Sequence, residues 1–330
     1  MKVQHYKHQV FAYTLSLASV FGMAMSSCEQ KELCYDHNHA YNLNVSFDWR
    51  QSPDASPGSM LVCLFPRDSA ERTLRREFAG SAGGKTQLPV NITYDALFFN
   101  SDIRNAIFSN TSRLETFTVS SRTAATLDGI GASAYSVPRA NGTETERMAE
   151  EADKIWGGCN ADGILLTLEQ SEHCSAYDIT LYPQRMFCTY SVKIANVENI
   201  ENITPNISAT LSGMAGGRYI SSNEKIGEKV TVVFPIGIDS QTQSIIGSMY
   251  NFGNSTVGDT PNKLVIYTTL TDGSKWYYVY DVTDQIRTAP DPYNVEIQLD
   301  TLPIPNKMHG GSGMNPGVND WNKIDVPITM

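Results

Sequence analysis

Apolar and polar residues alternate at period two in segment after segment of this chain. Tyr41–Trp49 is the cleanest case: Leu43, Val45, Phe47 and Trp49 fall on one face, and Asn42, Asn44, Ser46 and Asp48 on the other. That is the pattern of a half-buried strand. Met60–Phe65 is apolar on both faces and predicts a strand in the middle of a sheet. Arg72–Phe78, Thr86–Leu88 and Ile92–Phe99 follow at short intervals, separated by turn residues at Gly80–Gly84. Ile164–Leu168 and Ala176–Leu181 read as two more strands. Later, Arg185–Ala195 places Met186, Cys188, Tyr190, Val192 and Ile194 on one face. Ile203–Leu211, Lys229–Pro235, Val295–Leu299 and Ile324–Ile328 are further strands. Ser212–Gly217 (SGMAGG) reads as a turn of small residues. Lys263–Leu270 and Lys275–Val282 flank Thr271-Asp272-Gly273-Ser274, a hairpin signature. Trp276, Tyr278, Tyr280 and Val282 share one face of its second arm.

One segment departs from this period. Asn141–Trp156 is the best helix candidate: Thr143 and Glu146 fit a capping box, and Gly157-Gly158 is a suitable stop. Met148, Ala152, Ile155 and Trp156 lie roughly on one face. Asn110–Val137 is rich in Ser, Thr and Ala and carries few strong signals. A boundary falls near Tyr182-Pro183-Gln184, and His309–Gly317 reads as a glycine-rich linker. Many short strands punctuated by turns predict a mostly β chain of two β-sandwiches in tandem, residues 41–183 and 184–330.

The first 27 residues stand apart. MKVQHYKHQ carries two lysines and no acid, Val10–Met25 is apolar or small, and Ser26-Ser27 precedes Cys28. A basic start, a short apolar run and small residues before a cleavage point make a secretory signal peptide. The run falls short of the roughly 20 residues that span a bilayer. Ser26-Ser27-Cys28 resembles a bacterial lipobox, in which Cys28 becomes the acylated first residue of the mature protein. Several acyl chains on one residue hold firmly, since two lipid signals already give stable anchoring. Residues 28–40 then form a polar stem. Its Glu29, Lys31 and Glu32 resemble the short charged signal that exports lipoproteins of Bacteroidota to the cell surface.

Composition narrows the class further. Removal of residues 1–27 leaves 303 residues with 35 acidic and 23 basic side chains, a formal charge of −12. An acidic chain without a basic cluster argues against nucleic acid as a partner. Cys63 and Cys188 sit on apolar strand faces and read as small buried hydrophobes. Cys159 and Cys174 flank the strand at Ile164–Leu168, and the pair is a candidate disulfide. No CxxC suggests zinc or redox chemistry.

The search for catalysis returns nothing. GxSxG, HExxH and phosphate-loop motifs are absent. Four histidines follow the signal, at 37, 39, 173 and 309, none beside a recognisable nucleophile. His37 and His39 alone do not make a metal site. We therefore expect neither an enzyme nor a cofactor or metal. Seven N-x-S/T sequons, among them Asn91, Asn110 and Asn206, read as incidental to an Asn- and Thr-rich composition. The aromatics Trp276, Tyr278 and Tyr280 read as the core face of a hairpin, with a sugar-stacking platform as the alternative.

Several pieces together resemble a known group. They are the SSC lipobox, CEQKELCY at Cys28–Tyr35 leading to the strand NLNVSFDW, and YDALFFNSD at Tyr94–Asp102. The second half adds the strand 185–195, LSGMAGG at 211–217, and Pro316-Gly317-Val318-Asn319-Asp320-Trp321. This resembles the fimbrial anchor and fimbrillin-like lipoproteins of Bacteroidota, the FimB type. The resemblance implies two transthyretin-like (Ig-like, Greek-key) sandwich domains and a lipid tether at Cys28 in the outer membrane. It also implies partnership with fimbrial subunits by strand addition to a sheet edge. The alternative is a surface glycan-binding lipoprotein of a polysaccharide-uptake system.

Overall fold

The computed structural model describes residues 40–67, 71–127, 129–167, 170, 176–259, 261–306 and 321–327. They are built almost wholly of strands. The first sandwich pairs two sheets. One has β1 (Ala40–Phe47) at its centre, antiparallel to β4 (Gly83–Pro89) and parallel to β10 (Tyr177–Leu181). In the other, β2 (Ser59–Pro66) lies between β3 (Leu74–Ala79) and β5 (Thr93–Asn100). β9 (Trp156–Leu165) and the two-residue β11 (Gln184–Arg185) extend that sheet. The expected face of β1 is the buried one: Leu43, Val45 and Phe47 pack on Val62, Leu64 and Phe98 from the opposite sheet.

The second sandwich is one nine-stranded sheet folded around its own core, in the order β19-β12-β16-β15-β13-β17-β18-β20. Eight strands lie on this path: β12 (Cys188–Glu198), β13 (Ile203–Ala215), β15 (Lys229–Asp239), β16 (Ser244–Asn251), β17 (Lys263–Leu270), β18 (Lys275–Asp281), β19 (Asn294–Pro303) and β20 (Trp321–Asp325); the ninth, β8 (Arg147–Ala149), pairs with β15 beside it. β15 turns the corner: its first half pairs with β13 and its second half with β16. Tyr190, Val192 and Ile194 of β12 meet Phe234, Ile266, Tyr278 and Ile297 in the core. The hairpin at Thr271–Ser274 forms as expected, joining β17 to β18.

The segment after β5, up to Ile155, packs in part on the outer face of the first sandwich and in part on the second. β6 (Ala106–Ser109) and β7 (Thr118–Ser121) form a small sheet with β14 (Gly217–Tyr219). Leu127, Ala134, Val137 and Ala140 cover the outer face of β15, β17 and β18 at Val233, Val265 and Val279. The Tyr267 hydroxyl donates to the Pro138 carbonyl at 2.7 Å. This cover explains why β17 is apolar on both faces. Likewise, the small sheet packs Phe117 and Val119 on Cys63, Leu97 and Phe99, the outward residues of β2 and β5.

Three expectations are corrected. Asn141–Trp156 is not a helix. Its capping residues are used otherwise: the Thr143 hydroxyl donates to Ala140 O, and Glu146 accepts from Gly213 N and Thr231 Oγ1. The chain then runs extended as β8 (Arg147–Ala149), parallel to β15. Met148 and Ala149 thereby enter two different cores, which a strand permits and a single helical face does not. Gly157 and Gly158 are strand residues of β9, so Ile164–Leu168 is only the end of a longer strand. A Cβ on Gly157 would lie 2.6 Å from Phe98 O, so glycine admits the close approach of β5. SGMAGG is no turn either. β13 runs on through it with a bulge between Leu211 and Met214, where Gly213 takes φ +75°.

Candidate functional site

Much of the site predicted from sequence lies outside the described residues: Cys28, Cys34, Cys174, His37, His39, His173 and the linker at 309–317. Cys159 sits within β9 opposite Leu97 and is half-buried. As a thiol it would be pushed up to about 11 by burial, with Asp95, Glu115 and Asp162 adding to the shift. Cys63 and Cys188 are buried, and burial raises both thiols. A protonated, enclosed thiol is a packing residue rather than a nucleophile. Among the described residues no group of three or more His, Cys, Asp or Glu side chains lies close enough to hold a metal ion. No helix among them is long and apolar enough to cross a membrane.

The aromatic face of β18 is core. Tyr278 and Tyr280 are fully enclosed, and Trp276 packs against the same cluster. The Tyr280 hydroxyl donates to Thr301 O and the Trp276 indole N–H to Ser274 Oγ. Tyr278 and Tyr280 offer no face to a sugar, and Trp276 is partly buried against the same core.

The sheet edges are the more distinctive feature, because an unpaired edge is a template for another strand. β19 is one edge of the second sandwich, and a side chain blunts it. Gln285, on the short helix α1 (Thr283–Arg287), donates to Gln298 O and accepts from Gln298 N at 3.0 and 2.9 Å. Its carboxamide thus takes the place of a neighbouring strand. The opposite edge is β18, and there the cover is a strand. β20, only five residues long, lies parallel along Lys275–Val279. Trp321 meets the Tyr267 ring edge to face at 5.5 Å, and Ile324 reaches the inner core. All five residues of β20 remain at least partly exposed. The last strand expected at Ile324–Ile328 shares only Ile324 and Asp325 with β20, which begins earlier, at Trp321. Nothing in the sequence WNKID states which edge it joins or in which direction.

The comparisons with known proteins bear on the fold and the family. A candidate adhesin from Bacteroides ovatus shares 14% identity over 85% of this chain and 99% of its own, with a TM-score of 0.56. A candidate polysaccharide-binding protein from Bacteroides thetaiotaomicron shares 9% identity over 79% and 90%, with a TM-score of 0.51. The fimbrial anchor protein Mfa2 from Porphyromonas gingivalis also matches, at 10% identity over 79% and 90%, with a lower TM-score of 0.48. The β-sandwich fold implied by the sequence resemblance is therefore the one observed. None of the curated proteins matches this chain in sequence. The model of a domain of unknown function, DUF5119, matches residues 27–235, more than half of the chain, and the chain belongs to that family.

Proposed function

We propose that this chain is a non-enzymatic surface lipoprotein of adhesin or fimbrial type. Its two sandwiches, residues 41–183 and 184–330, are tethered to the outer membrane through acylated Cys28. It joins other subunits by strand addition at the β18 edge. The observation that carries this reading is the nature of the cover on that edge. β20 is short, parallel, largely exposed, and reached from β19 through residues 304–320. A strand of that kind gives up few contacts when another replaces it, and the row of β18 backbone groups that its departure would free supplies the hydrogen bonds for the newcomer. The lipobox at Ser26–Cys28 supports the tether, and the adhesin fold of the Bacteroides ovatus protein supports the class. The glycan-binding alternative loses the platform it rested on, because Tyr278 and Tyr280 are core.

Deletion of residues 307–330 tests the strand-addition step. The truncated chain should take up a synthetic peptide of residues 321–327 added in trans, read by a shift in native mass. A folded truncated chain that binds no such peptide would contradict the assignment of this edge.

A further inference from the structure

Tension applied along this chain meets the same arrangement in each sandwich. The chain enters the first sandwich by β1 and leaves it by β10, which leads through Tyr182-Pro183 toward β12. Those two strands lie side by side and parallel, from Leu43 opposite Tyr177 to Phe47 opposite Leu181. Every other strand pair described in the first sandwich is antiparallel. The second sandwich repeats the device. It is entered by β12, and β19 is its last strand before residues 304–320. The two pair in parallel, from Thr189 opposite Asn294 to Glu198 opposite Pro303.

Strand direction decides how such a pair fails. In a parallel pair, the N-terminal end of one strand and the C-terminal end of the other lie at opposite ends of the ladder. Pulling on those two ends slides the strands past each other, and all the bonds between them carry the load together. In an antiparallel pair the same two ends would lie together, and the bonds would open one after another. The β1–β10 ladder is also reinforced and shielded. Asn44 Nδ2 donates to Asp178 Oδ1 at 2.7 Å. Ser46 Oγ donates to Ile179 O at 3.1 Å and meets Thr180 Oγ1 at 3.1 Å. Asp48 N donates to Leu181 O at 2.8 Å, which carries the ladder past the end of β1. Behind it Leu43, Val45, Phe47, Ile179 and Leu181 are core, where water does not compete for the bonds. The β12–β19 ladder is bound across in the same way. Asn196 Nδ2 donates to Asp300 Oδ1 at 2.6 Å, and Asn199 Nδ2 donates to Ile304 O at 2.6 Å beyond the last paired residues. We infer that these two pairs are shear clamps, which keep each sandwich folded while the molecule bears tension between its membrane attachment and its partner. The inference deepens the anchor reading and rests on it for where the load enters. Load that leaves through a strand added at β18 passes β1–β10, and load that leaves through residues 304–320 passes both clamps.

The test pulls single molecules of the unlipidated chain from residue 28 onward, at one loading rate, along three directions. The first runs from the N-terminus to the C-terminus. The second runs from the N-terminus to a handle at Gln87, which stands opposite Asn42, so that β1 is unzipped from the antiparallel β4. The third runs from a handle at Glu198 to the C-terminus, so that β19 is peeled from the end where it leaves β12. The sandwiches are told apart by the chain length each releases. Each should unfold end to end at a force about twofold or more above its unzipping force, because the ladder bonds break together rather than in turn. Asn44→Ala combined with Ser46→Ala removes side-chain bonds across β1–β10 alone. It should lower the end-to-end force of the first sandwich and leave the force from Gln87 unchanged. End-to-end forces no higher than the unzipping forces would overturn the proposal, as would a double variant that shifts both directions alike or neither. Because no lipid or membrane is present, a failed clamp leaves the tether reading standing, and a failed tether leaves the measured forces unchanged.

Discussion

At the scale of single residues, the molecule relies on asparagine and on enclosed tyrosine. Asn91, Asn110, Asn196, Asn199 and Asn223 all take positive φ, between 49° and 61°. Asparagine tolerates this left-handed region better than other side-chain-bearing residues. Part of the Asn-rich composition, including two of the sequons, is therefore turn chemistry. The tyrosines make a different point. Tyr267 is buried, donates its hydroxyl to Pro138 O, and is pushed up to about 12 from its ordinary 10, chiefly by burial. Burial shifts Tyr190, Tyr278 and Tyr280 upward as well. A raised folded-state pKa means that the unfolded chain loses its proton first. The contribution of Tyr267 is complete below about pH 10 and is lost as the pH climbs toward about 12. Tyrosinate absorbance and unfolding should therefore rise together across that window, and Tyr267→Phe should flatten the dependence of stability on pH. Titration of all the tyrosines near their ordinary value with the fold intact would contradict this packing.

Among the elements, β8 best shows how tertiary context overrides local signals. Arg147 pairs with Glu228 through two bonds, at 2.7 and 2.9 Å, and donates to Ser121 O. Met148 is 1% exposed, packed with Leu127, Val137 and Ala140 against Val233, Val265 and Tyr267. Met148→Ala should cost about 2–4 kcal/mol, the range for a large-to-small change in a core. On an exposed helix the same change would be close to neutral. Equilibrium urea unfolding decides between them, and a loss below about 0.5 kcal/mol would contradict the strand assignment. The same element marks the limits of sequence reading. β1, β2, β5, β12 and the β17–β18 hairpin were legible because each has a clean period or a strong turn. β16 was not, because Ile245 is buried while Ile246 is 47% exposed and Gly247 interrupts the alternation. The glycines of β9 and of SGMAGG resemble turns until a neighbouring strand is close enough to need them. The parallel pairing of β1 with β10 and of β12 with β19 was illegible for a related reason. The partners stand far apart in the chain, and no local pattern joins them.

For the molecule as a whole, the proposed function separates attachment from assembly. On the proposed reading, attachment falls to Cys28, which precedes β1 in the chain. That strand is bonded on both sides, to β4 and β10, so a pull on the stem would be resisted by two ladders at once. On the same reading, assembly falls to the β18 edge, now covered by β20. Attachment is the claim that gives assembly its setting, and one measurement addresses it directly. Cys28→Ala should move the protein from the outer-membrane fraction of its native cells to the soluble fraction, with the same thermal midpoint as the released wild-type domain. If the folded Cys28→Ala protein still sediments with the outer membrane, the lipid-anchor account is wrong.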